Sequence, residues 1–376
     1  MRIVFNKDVL VNTIEQNCGI LSSKPSFMTL MNILVRVKNN KCSFVTTDLV
    51  NTMITNIDVV SCDGEGEFLI NGKNVLSIFK TLTEETVCID VEDNIFVQCG
   101  SFKAKFNKQD TQDYPSVEDD VGLDYGLKFK ASELVNALNF VLPSVSIDQT
   151  RPCFCGINFN YTFCDKKAIV SLCATDGHRL AKTNVIAEDL QAKEPQENGY
   201  IIQSNVAALI SKWFNINEDI KLILDSTSAT FKSSTTTIKT KLIDGGFPDF
   251  SKVIPNTDVN IIINKKSLAN PLKRSLALNT KKPVAKLSFS NNKLTITTVD
   301  NALGSLVDDI ECNYEGKDLD IALNSKYLEQ ALNVIDDTCV CMGVIDNDSP
   351  IKLISESDFN AKDESQVLII MPMSCL

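Results

Sequence analysis

Residues 156–177 have the sequence GINFNYTFCDKKAIVSLCATDG, in which two alternating apolar stretches flank the dipeptide Asp165-Lys166. Alternation with a period of two is typical of β-strands, and aspartate tolerates the positive φ that a tight hairpin turn demands. The segment therefore predicts an antiparallel hairpin. Asp176 follows the second strand of that hairpin.

The same hairpin pattern occurs twice more along the chain. The other copies are NILVRVKNNKCSFVTTDL at residues 32–49 and AKLSFSNNKLTITTVDNALG at residues 285–304. Their turns are predicted at Asn39-Asn40 and Asn291-Asn292, and Asp48 and Asp300 follow the second strand as Asp176 does. This recurrence indicates three copies of one structural unit.

Each hairpin lies between two segments that are predicted to contain helices. The first helices are predicted in residues 5–20, 129–142 and 263–278, with Leu10, Leu134 and Leu268 at matching places. The second helices are predicted in residues 68–82, 200–214 and 320–335, each after a short strand. Their expected N-caps are the polar residues Asn71, Ser204 and Ser325.

Each unit therefore runs helix, strand pair, helix, strand pair, which predicts an α+β fold of three tandem domains with two helices each on mainly antiparallel sheets. A chain of 376 residues is also too long for a single core. Linker-like breaks near residues 116–126 and 248–257 place the domains at 1–121, 125–250 and 256–376.

Composition narrows the class of protein. The chain is 44% hydrophobic and 23% charged, and neither its first residues nor any later run resembles a secretory signal or a membrane span. We therefore expect a cytoplasmic globular protein. The 13 cysteines are scattered along the chain, so we expect them to be reduced thiols. The pairs Cys153/Cys155 and Cys339/Cys341 could suggest a metal site, but the chain has only one histidine, and we predict no metal site and no cofactor.

The charge is distributed unevenly between helices and the rest of the chain. The net charge is −11, yet the six predicted helices carry +6 when Asp320, which lies in the strand before the last helix, is left out. Their basic residues are Lys7, Lys73, Lys80, Lys130, Lys212, Lys265, Lys266, Lys273, Arg274 and Lys326, against the acidic residues Asp8, Glu15, Glu133 and Glu329. A basic helical face favours contact with DNA phosphates, although lysines on exposed helices can also be simply solvated.

Three motifs carry a resemblance to a known family. They are ATDGHRLA at residues 174–181, KLIDGGFPDFSKVIP at residues 241–255 and IIMPM at residues 369–373. With these motifs and its three repeats, the whole chain resembles the bacterial sliding clamp family, the β subunit of DNA polymerase III. The resemblance implies a non-catalytic head-to-tail homodimeric ring that encircles double-stranded DNA without reading its sequence. It further implies processivity for the replicative polymerase and contacts with the clamp loader, other polymerases and repair proteins through short linear motifs.

The resemblance also implies three groups of site residues. The pocket for partner peptides would consist of Phe154, Thr175, Gly177, His178, Arg179, Leu180, Pro248, Lys252, Val253, Pro350, Ile369, Ile370, Met371, Pro372 and Met373. The residues facing DNA would be Lys24, Gln149 and Arg151, although charges in loops can also be simply solvated. The basic helices add Lys73, Lys80, Lys265 and Lys266 to this group. The dimer interface would hold Phe106, Leu276 and Ala277. The opposite charges of Lys103 and Lys105 in one strand and of Asp308 and Asp309 in another predict that these residues meet across the same interface, each pair from a different subunit. Lys103 and Lys105 can also be ordinary edge-strand charges that prevent aggregation.

The sequence departs from the family pattern at its last residues, Ser374-Cys375-Leu376, and at Lys252 and Phe154, which leaves the peptide preference open. Two other classes of function are alternatives. An enzyme would have to use Asp176 and His178, but the chain shows no nucleophile-elbow, phosphate-loop or metal motif. A scaffold that never encloses DNA would keep the fold but would have no use for the basic helices.

Overall fold

The structure is a computed structural model of the 376-residue chain. It describes residues 1–21, 27–38, 40–117, 125–257, 259–278, 283–298, 304–362 and 364–373. The predicted site residue Lys24, the predicted turn residue Asn39, Asp300 and the ending Ser374 to Leu376 lie outside these ranges.

Helices occupy all six predicted places. They are α1 Lys7–Cys18, α2 Gly72–Phe79, α3 Ala131–Val141, α4 Ser204–Trp213, α5 Lys265–Leu278 and α6 Ser325–Val334, followed by α7 Glu356–Ala361. The short α7 was not predicted, because six residues are too few to show a helical period. Its N-cap is Ser355, whose side chain accepts the Asp358 N–H.

Strands make up most of the remaining described chain. Within residues 1–117 they are β1 Arg2–Asn6, β2 Asn32–Lys38, β3 Lys41–Thr47, β4 Asn51–Asp58, β5 Ser61–Asp63, β6 Gly66–Asn71, β7 Thr86–Val91, β8 Asn94–Cys99 and β9 Phe102–Asn107. Residues 125–257 contain β10 Gly126–Lys130, β11 Gly156–Cys164, β12 Lys167–Thr175, β13 Arg179–Leu190, β14 Tyr200–Gln203, β15 Asp219–Leu224, β16 Ser228–Lys232 and β17 Thr236–Lys241. The last third contains β18 Val259–Asn264, β19 Val284–Ser290, β20 Lys293–Thr298, β21 Val307–Glu311, β22 Leu319–Asn324, β23 Cys339–Val344, β24 Ile351–Ser355 and β25 Val367–Ile370.

The chain packs into two compact units. The first unit comprises Met1–Glu133, Ala187–Glu194 and Asn205–Leu242, and the second comprises Leu134–Ile186, Pro195–Ser204 and Ile243–Leu376. Residues of the predicted middle domain fall in both units. The reason is strand pairing, because β17 pairs with β4 in the first unit while the N-terminal part of β13 pairs with β25 in the second.

The first unit contains two runs of antiparallel strands. One has the order β5-β1-β7-β8-β9, which makes β9 an edge strand, and the other continues from the C-terminal part of β13 through β10-β15-β16-β17-β4-β3-β2-β6. Helix α1 packs on α2 and on β3 and β4. Phe5, Leu10, Phe44 and Phe68 are fully buried in the core beneath them, which the burial of apolar surface stabilises.

The second unit also has two sheet regions. One has the order β21-β20-β19-β22, which makes β21 an edge strand. In the other, β18-β23-β24-β25 leads to the N-terminal part of β13, which also pairs with β12 of the β11-β12 hairpin. Helix α5 packs on α6, and Leu268 and Leu328 are buried there. Leu134 is buried on α3 as well, so all three matched leucines are core residues.

The turns were predicted correctly, but two of the three caps were not. Asn40, Asp165 and Asn291 have φ values of 61°, 57° and 49° at the hairpin tips. Asn71 caps α2, as predicted, by accepting the Asn74 N–H at 3.2 Å.

The predicted caps Ser325 and Ser204 are instead the first residues of α6 and α4. Asn324 caps α6, because its side chain accepts the N–H groups of Lys326 and Tyr327. Ser325 donates its hydroxyl to the Pro283 carbonyl at 2.9 Å. Among the described helices, none is long and apolar enough to cross a membrane.

Candidate functional site

The ATDG motif folds into a tight turn between β12 and β13. The Thr175 hydroxyl donates to the Arg179 carbonyl at 2.7 Å and accepts the Gly177 N–H at 3.1 Å. The Asp176 carboxylate accepts the backbone N–H groups of His178 at 2.9 Å and Arg179 at 3.0 Å. Gly177 has φ +88°, a left-handed conformation that glycine adopts without strain. The turn is therefore fixed by its own side chains, and it leaves Gly177 and His178 exposed.

Arg179 is held from three sides. Its Nε lies 3.0 Å from the Asp176 carboxylate, and both side chains are only 12% exposed. A second guanidinium nitrogen donates to Gln330 at 2.6 Å, and the group lies 4.2 Å from the centroid of the Tyr327 ring. Burial and the nearby Asp176 charge raise the pKa of the Tyr327 hydroxyl. The ion pair, the hydrogen bond and the stacking contact together fix the orientation of the Arg179 guanidinium group, which forms one wall of the site.

The last described strand runs beside this turn. In the pairing of β25 with β13, Leu180 lies opposite Ile369. Two residues after Ile369, Met371 donates its N–H to the His178 carbonyl at 2.8 Å. The first and third sequence motifs are therefore in direct contact.

The second motif joins them through an apolar cluster. Leu180 and Ile369 are buried in a cluster that includes Phe247 and, partly buried, Phe250. The Phe247 ring contacts both Phe250 and Phe154 edge-on, with centroids 6.4 Å apart in each pair. The three motifs and Phe154 thus share one packed region of the second unit.

A cavity of about 750 Å³ opens beside the turn. Four predicted pocket residues line it, namely Phe154, Gly177, His178 and Arg179. Lys326, Tyr327 and Gln330 line it as well and were not predicted. They lie on the first two turns of α6, where spacings of three and four residues share one helix face, but the sequence alone did not show which element that face meets.

Other predicted pocket residues lie apart from the cavity. Of the residues the structure describes, Pro248, Lys252, Val253 and Pro350 are not among those that line it. Lys252 pairs with Asp249 at 3.0 Å and remains 82% exposed. Thr175 is buried and holds the turn. Leu180, Ile369 and Ile370 line a much smaller cleft beside Tyr327. Met371 and Pro372 are partly buried, and Met373 is exposed.

The residues predicted to face DNA differ in their surroundings. Lys73, Gln149 and Lys266 are exposed. Lys80 is exposed and pairs with Glu15 at 2.9 Å.

Two members of the same set have other contacts. Lys265 donates to the Ile335 carbonyl at 2.6 Å, at the C-terminal end of α6, so it has a structural role that the sequence did not indicate. Arg151 lines the cavity beside the turn, and its guanidinium lies 5.9 Å from the centroid of the Phe154 ring.

The predicted interface residues lie on two edge strands and a helix. Lys103 and Lys105 are exposed on β9, and Phe106 is partly buried there. On β21, Asp308 accepts two hydrogen bonds from Arg274, and Asp309 pairs with Lys293 at 2.7 Å. Both aspartates therefore have partners within the chain, which the sequence analysis did not foresee. On α5, Leu276 is partly buried and Ala277 is exposed.

The cysteine pairs do not form a metal site in the described part of the chain, which contains no group of three or more potential ligands. The described cysteines are free thiols. Cys341 is buried in β23 next to the apolar cluster, and burial raises its pKa to about 11.

Comparisons with known proteins give a consistent result along the whole chain. Family models match residues 1–118 as the N-terminal domain, residues 128–249 as the central domain and residues 251–374 as the C-terminal domain of the DNA polymerase III beta subunit. The beta sliding clamp of Haemophilus influenzae is 27% identical over 99% of this chain and 100% of the relative. That of Bacillus subtilis is 24% identical over 89% of this chain and 91% of the relative.

Solved structures share the fold. The sliding clamp of Bartonella birtlesii bound to griselimycin has a TM-score of 0.89 at 22% identity, and the clamp of Bacillus subtilis has a TM-score of 0.88 at 23% identity. In each case 100% of both chains is covered. The predicted α+β fold of three tandem clamp domains is thereby confirmed. The chain therefore belongs to the bacterial sliding clamp family, the β subunit of DNA polymerase III, and its function is that of a DNA sliding clamp.

Proposed function

We propose that this clamp works as a head-to-tail homodimeric ring that encloses double-stranded DNA and has no catalytic role of its own. Three domains at 1–121, 125–250 and 256–376 would form each half of the ring, and the ranges matched by the three family models support these boundaries. The ring would give the replicative polymerase its processivity. We place it in the cytoplasm.

Enclosure requires contacts that hold DNA without fixing its position. The exposed Lys73 and Lys266, together with Lys24, Lys80 and Gln149, would supply scattered phosphate contacts. Such contacts carry no sequence information and are weakened by salt, so the ring can slide along the duplex. Lys265 contributes less in this proposal, because its amino group already binds the Ile335 carbonyl.

Closure of the ring would join the β9 edge of one subunit to the β21 edge of the other. Lys103 and Lys105 would meet Asp308 and Asp309, and the two-fold axis would repeat the seam. Because both aspartates already have partners within the chain, the added ion pairs contribute little, and exposed pairs are worth only about 0–1 kcal/mol. The apolar residues Phe106, Leu276 and Ala277 would supply most of the adhesion.

Partner proteins would dock a short linear peptide against the turn formed by Thr175 to Arg179. The cavity of about 750 Å³ at this turn is the observation that carries the proposal. Its walls are pre-ordered, because Asp176, Gln330 and Tyr327 fix Arg179. Binding therefore immobilises mainly the peptide, which limits the entropic cost.

The chemistry of the cavity fits a peptide with mixed side chains. Phe154 and Tyr327 offer aromatic surface, while His178 and Gln330 offer hydrogen-bonding groups. A site with a few polar groups among apolar ones orients a ligand and can still accept several sequences. The replicative polymerase, the clamp loader, other polymerases and repair proteins would therefore compete for it.

Peptide binding is tested by removing residues 371–376 and titrating a peptide with a glutamine followed by aliphatic and aromatic residues. We expect the full chain to bind with micromolar affinity, about −8 kcal/mol, and the truncated chain to show no binding while it stays dimeric. Lys166→Ala serves as the matched control, because Lys166 is exposed at the tip of the β11-β12 hairpin and belongs to none of the predicted sites. Unchanged affinity after truncation, measured by calorimetry, would contradict the proposed pocket.

Enclosure of DNA is tested with closed circular plasmid. The loaded clamp should stay on the circle and leave after linearisation, whereas a scaffold that never encloses DNA would show no difference. Leu276→Ala should reduce retention on the circle more than Lys105→Ala, and sedimentation should show the same order of monomer formation. Equal dimer content in Leu276→Ala and the unchanged chain would remove this seam from the proposal.

A further inference from the structure

The turn at the second-unit site has a counterpart in the first unit. The Thr47 hydroxyl donates to the Asn51 carbonyl at 3.0 Å and accepts the Leu49 N–H at 3.0 Å. The Asp48 carboxylate accepts the N–H groups of Val50 at 2.9 Å and Asn51 at 2.6 Å. These are the same four hydrogen bonds that form the turn from Thr175 to Arg179. We call the segment from Thr47 to Asn51 the first-unit turn and its counterpart the second-unit turn.

The strand beside each turn is repeated as well. Thr240 of β17 lies opposite Asn51, and Lys241 donates its N–H to the Val50 carbonyl at 3.1 Å. The second-unit turn has the same two contacts with β25. Ile370 lies opposite Arg179, and Met371 donates its N–H to the His178 carbonyl. The first unit therefore reproduces the turn of the proposed peptide site and the strand beside it.

One position in the first-unit turn is strained. Leu49 has φ +75° at the place where the second-unit turn has Gly177. A left-handed conformation is uncommon for leucine and costs free energy that glycine would not incur. The Leu49 side chain gains little burial in return, because it is 47% exposed, and its neighbour Val50 is 41% exposed. Strain of this kind, held in place by the surrounding hydrogen bonds, is typical of functional positions.

The strained turn borders a cavity of about 460 Å³. Leu49, Val50, Val117 and Ile223 are among its apolar lining residues. Beneath it lies a separate apolar cluster that includes Ile54 and, partly buried, Val117. The cavity thus combines exposed aliphatic side chains with a firm apolar floor, as a peptide site requires.

The charges at the cavity select for an acidic ligand. Lys239 and Lys241 line it and are exposed. The lining also contains the carboxylate of Asp225, which is already engaged by the Lys193 amino group and by the Tyr125 hydroxyl at 3.2 Å. With Asp225 engaged in this way, the exposed Lys239 supplies positive charge beside the aliphatic side chains of the turn.

From these observations we infer that the cavity at the first-unit turn is a second docking site, for an extended peptide of a partner protein with aliphatic side chains and at least one carboxylate. The aliphatic groups would pack against Leu49 and Val50, and the carboxylate would bind Lys239. The site goes beyond the proposed function, since every residue lining it lies in the first unit and none belongs to the proposed peptide pocket.

The test uses the full-length clamp and a fluorescein-labelled octapeptide of alternating leucine and aspartate. Binding is followed by fluorescence anisotropy, and methyl NMR locates it through the signals of Leu49, Val50 and Val117. We expect Lys239→Glu to weaken binding about tenfold and Leu49→Gly about fivefold, because the first variant reverses the charge that binds the carboxylate and the second removes apolar contact surface. Leu49→Gly gives this turn the glycine of the other turn, so the turn's backbone hydrogen bonds should be kept, and urea unfolding checks that the variant is as stable as the unchanged clamp.

Matched controls separate this site from other sources of binding. Ile216→Ala changes an exposed aliphatic residue of the same unit that does not line the cavity, and it should leave affinity unchanged. Removal of residues 371–376, which tests the proposed peptide pocket, should leave the Leu49 and Val50 shifts intact. An octapeptide of alternating leucine and lysine should not bind.

Three results would overturn the inference. One is binding that moves no methyl signal at the first-unit turn, and another is equal affinity in Leu49→Gly, Lys239→Glu and the unchanged clamp. The third concerns the acidic segment that follows Val117 in the sequence, which includes Glu118, Asp119 and Asp120. If neutralising these three residues shifts the cavity methyl signals as the peptide does, the chain itself occupies the cavity.

Discussion

The first-unit and second-unit turns have the same backbone hydrogen bonds but different side chains at three consecutive positions. Leu49, Val50 and Asn51 in the first correspond to Gly177, His178 and Arg179 in the second. Even the side chain at the last position binds its aspartate in both, at 3.1 Å from Asn51 and 3.0 Å from Arg179.

This difference separates what builds the turn from what it presents. A threonine and an aspartate are sufficient to close the turn, because they satisfy the same backbone groups in both units. The following three residues then decide the surface, which is aliphatic in the first unit and carries histidine and an ordered arginine in the second. A repeated fold can in this way hold two sites of different preference on one framework.

The largest effect is expected from removing the aspartates. Asp176→Ala loses two backbone hydrogen bonds and leaves the nearly buried Arg179 without its carboxylate, whereas Asp48→Ala loses only hydrogen bonds. We expect the free energy of local opening to fall by about 3 kcal/mol at the second-unit turn and about 2 kcal/mol at the first. Hydrogen exchange of the Met371 and Lys241 amides reports each turn separately.

Asp176→Asn is the control for this pair of variants. It keeps a side-chain oxygen for the backbone N–H groups and removes only the charge. Its loss should therefore be smaller than that of Asp176→Ala. If the alanine substitutions lower the free energy of local opening equally at the two turns, the ion pair with Arg179 does not stabilise the second-unit turn. The expected difference in stability between the two turns would then be wrong.

A smaller effect is expected from exchanging the residues at the left-handed position. A Cβ at Gly177 would have its nearest neighbours at 3.7 and 3.8 Å, so the Cβ of Gly177→Leu meets no clash, and backbone strain of about 1–2 kcal/mol is the main expected cost. Leu49→Gly relieves that strain but adds freedom to the unfolded chain, and the two terms should cancel to within about 0.5 kcal/mol.

Urea unfolding measures both free energies, with Gly177→Asn as a control that should cost less than leucine. Asparagine tolerates the left-handed region better, because its short side chain can hydrogen-bond locally. A loss on Leu49→Gly as large as that on Gly177→Leu would mean that Leu49 is held by packing rather than strained.

The smallest effect is a difference in alkaline sensitivity between the cores below the two turns. Burial raises the pKa of Cys341, below the second-unit turn, to about 11, and that of Tyr114, below the first, to about 12. A raised pKa means that the folded state holds the proton more tightly. The associated stability is therefore present at neutral pH and is lost as pH rises, from about 9 to 11 for the thiol and from about 10 to 12 for the phenol.

Thermal unfolding between pH 8 and 11 tests this difference. Cys341→Val should reduce the decline in Tm that begins near pH 9, and Tyr114→Phe should affect only the part above about pH 10. If the two variants change the same part of the profile, the alkaline loss of stability does not come from these two groups.

The repeated elements could be predicted from sequence because they depend on local patterns. Alternation gave the hairpins, and the Asn and Asp residues gave the turns at Asn40, Asp165 and Asn291. The site was predicted only in part. Its turn residues came from the family motif, whereas Tyr327 and Gln330 depend on how α6 packs, which no local pattern reports.

The charged residues show the same limit. Lys265 was predicted from its place on a basic helix, yet its amino group binds a carbonyl 70 residues away in sequence. The sequence predicted that Asp308 and Asp309 pair with lysines of another subunit. It gave no sign that Arg274 and Lys293 of the same chain lie beside them. The duplicate turn could be predicted in part, because Asp48 and Asp176 occupy matching places in the sequence repeats. Only the structure shows that the match extends to the four hydrogen bonds of the turn.

The asparagine caps have a consequence for how the sequence can vary in length. Asn6, Asn71 and Asn324 each end a strand and cap the helix that begins at the next residue, so no loop separates the two elements. An inserted residue cannot be absorbed there and would turn the helix by about 100°, since an α-helix has 3.6 residues per turn. Lys73 would then move from one helix face to another while its sequence neighbours stayed the same. Substitutions on these helices are therefore tolerated far more easily than insertions or deletions at their first residues.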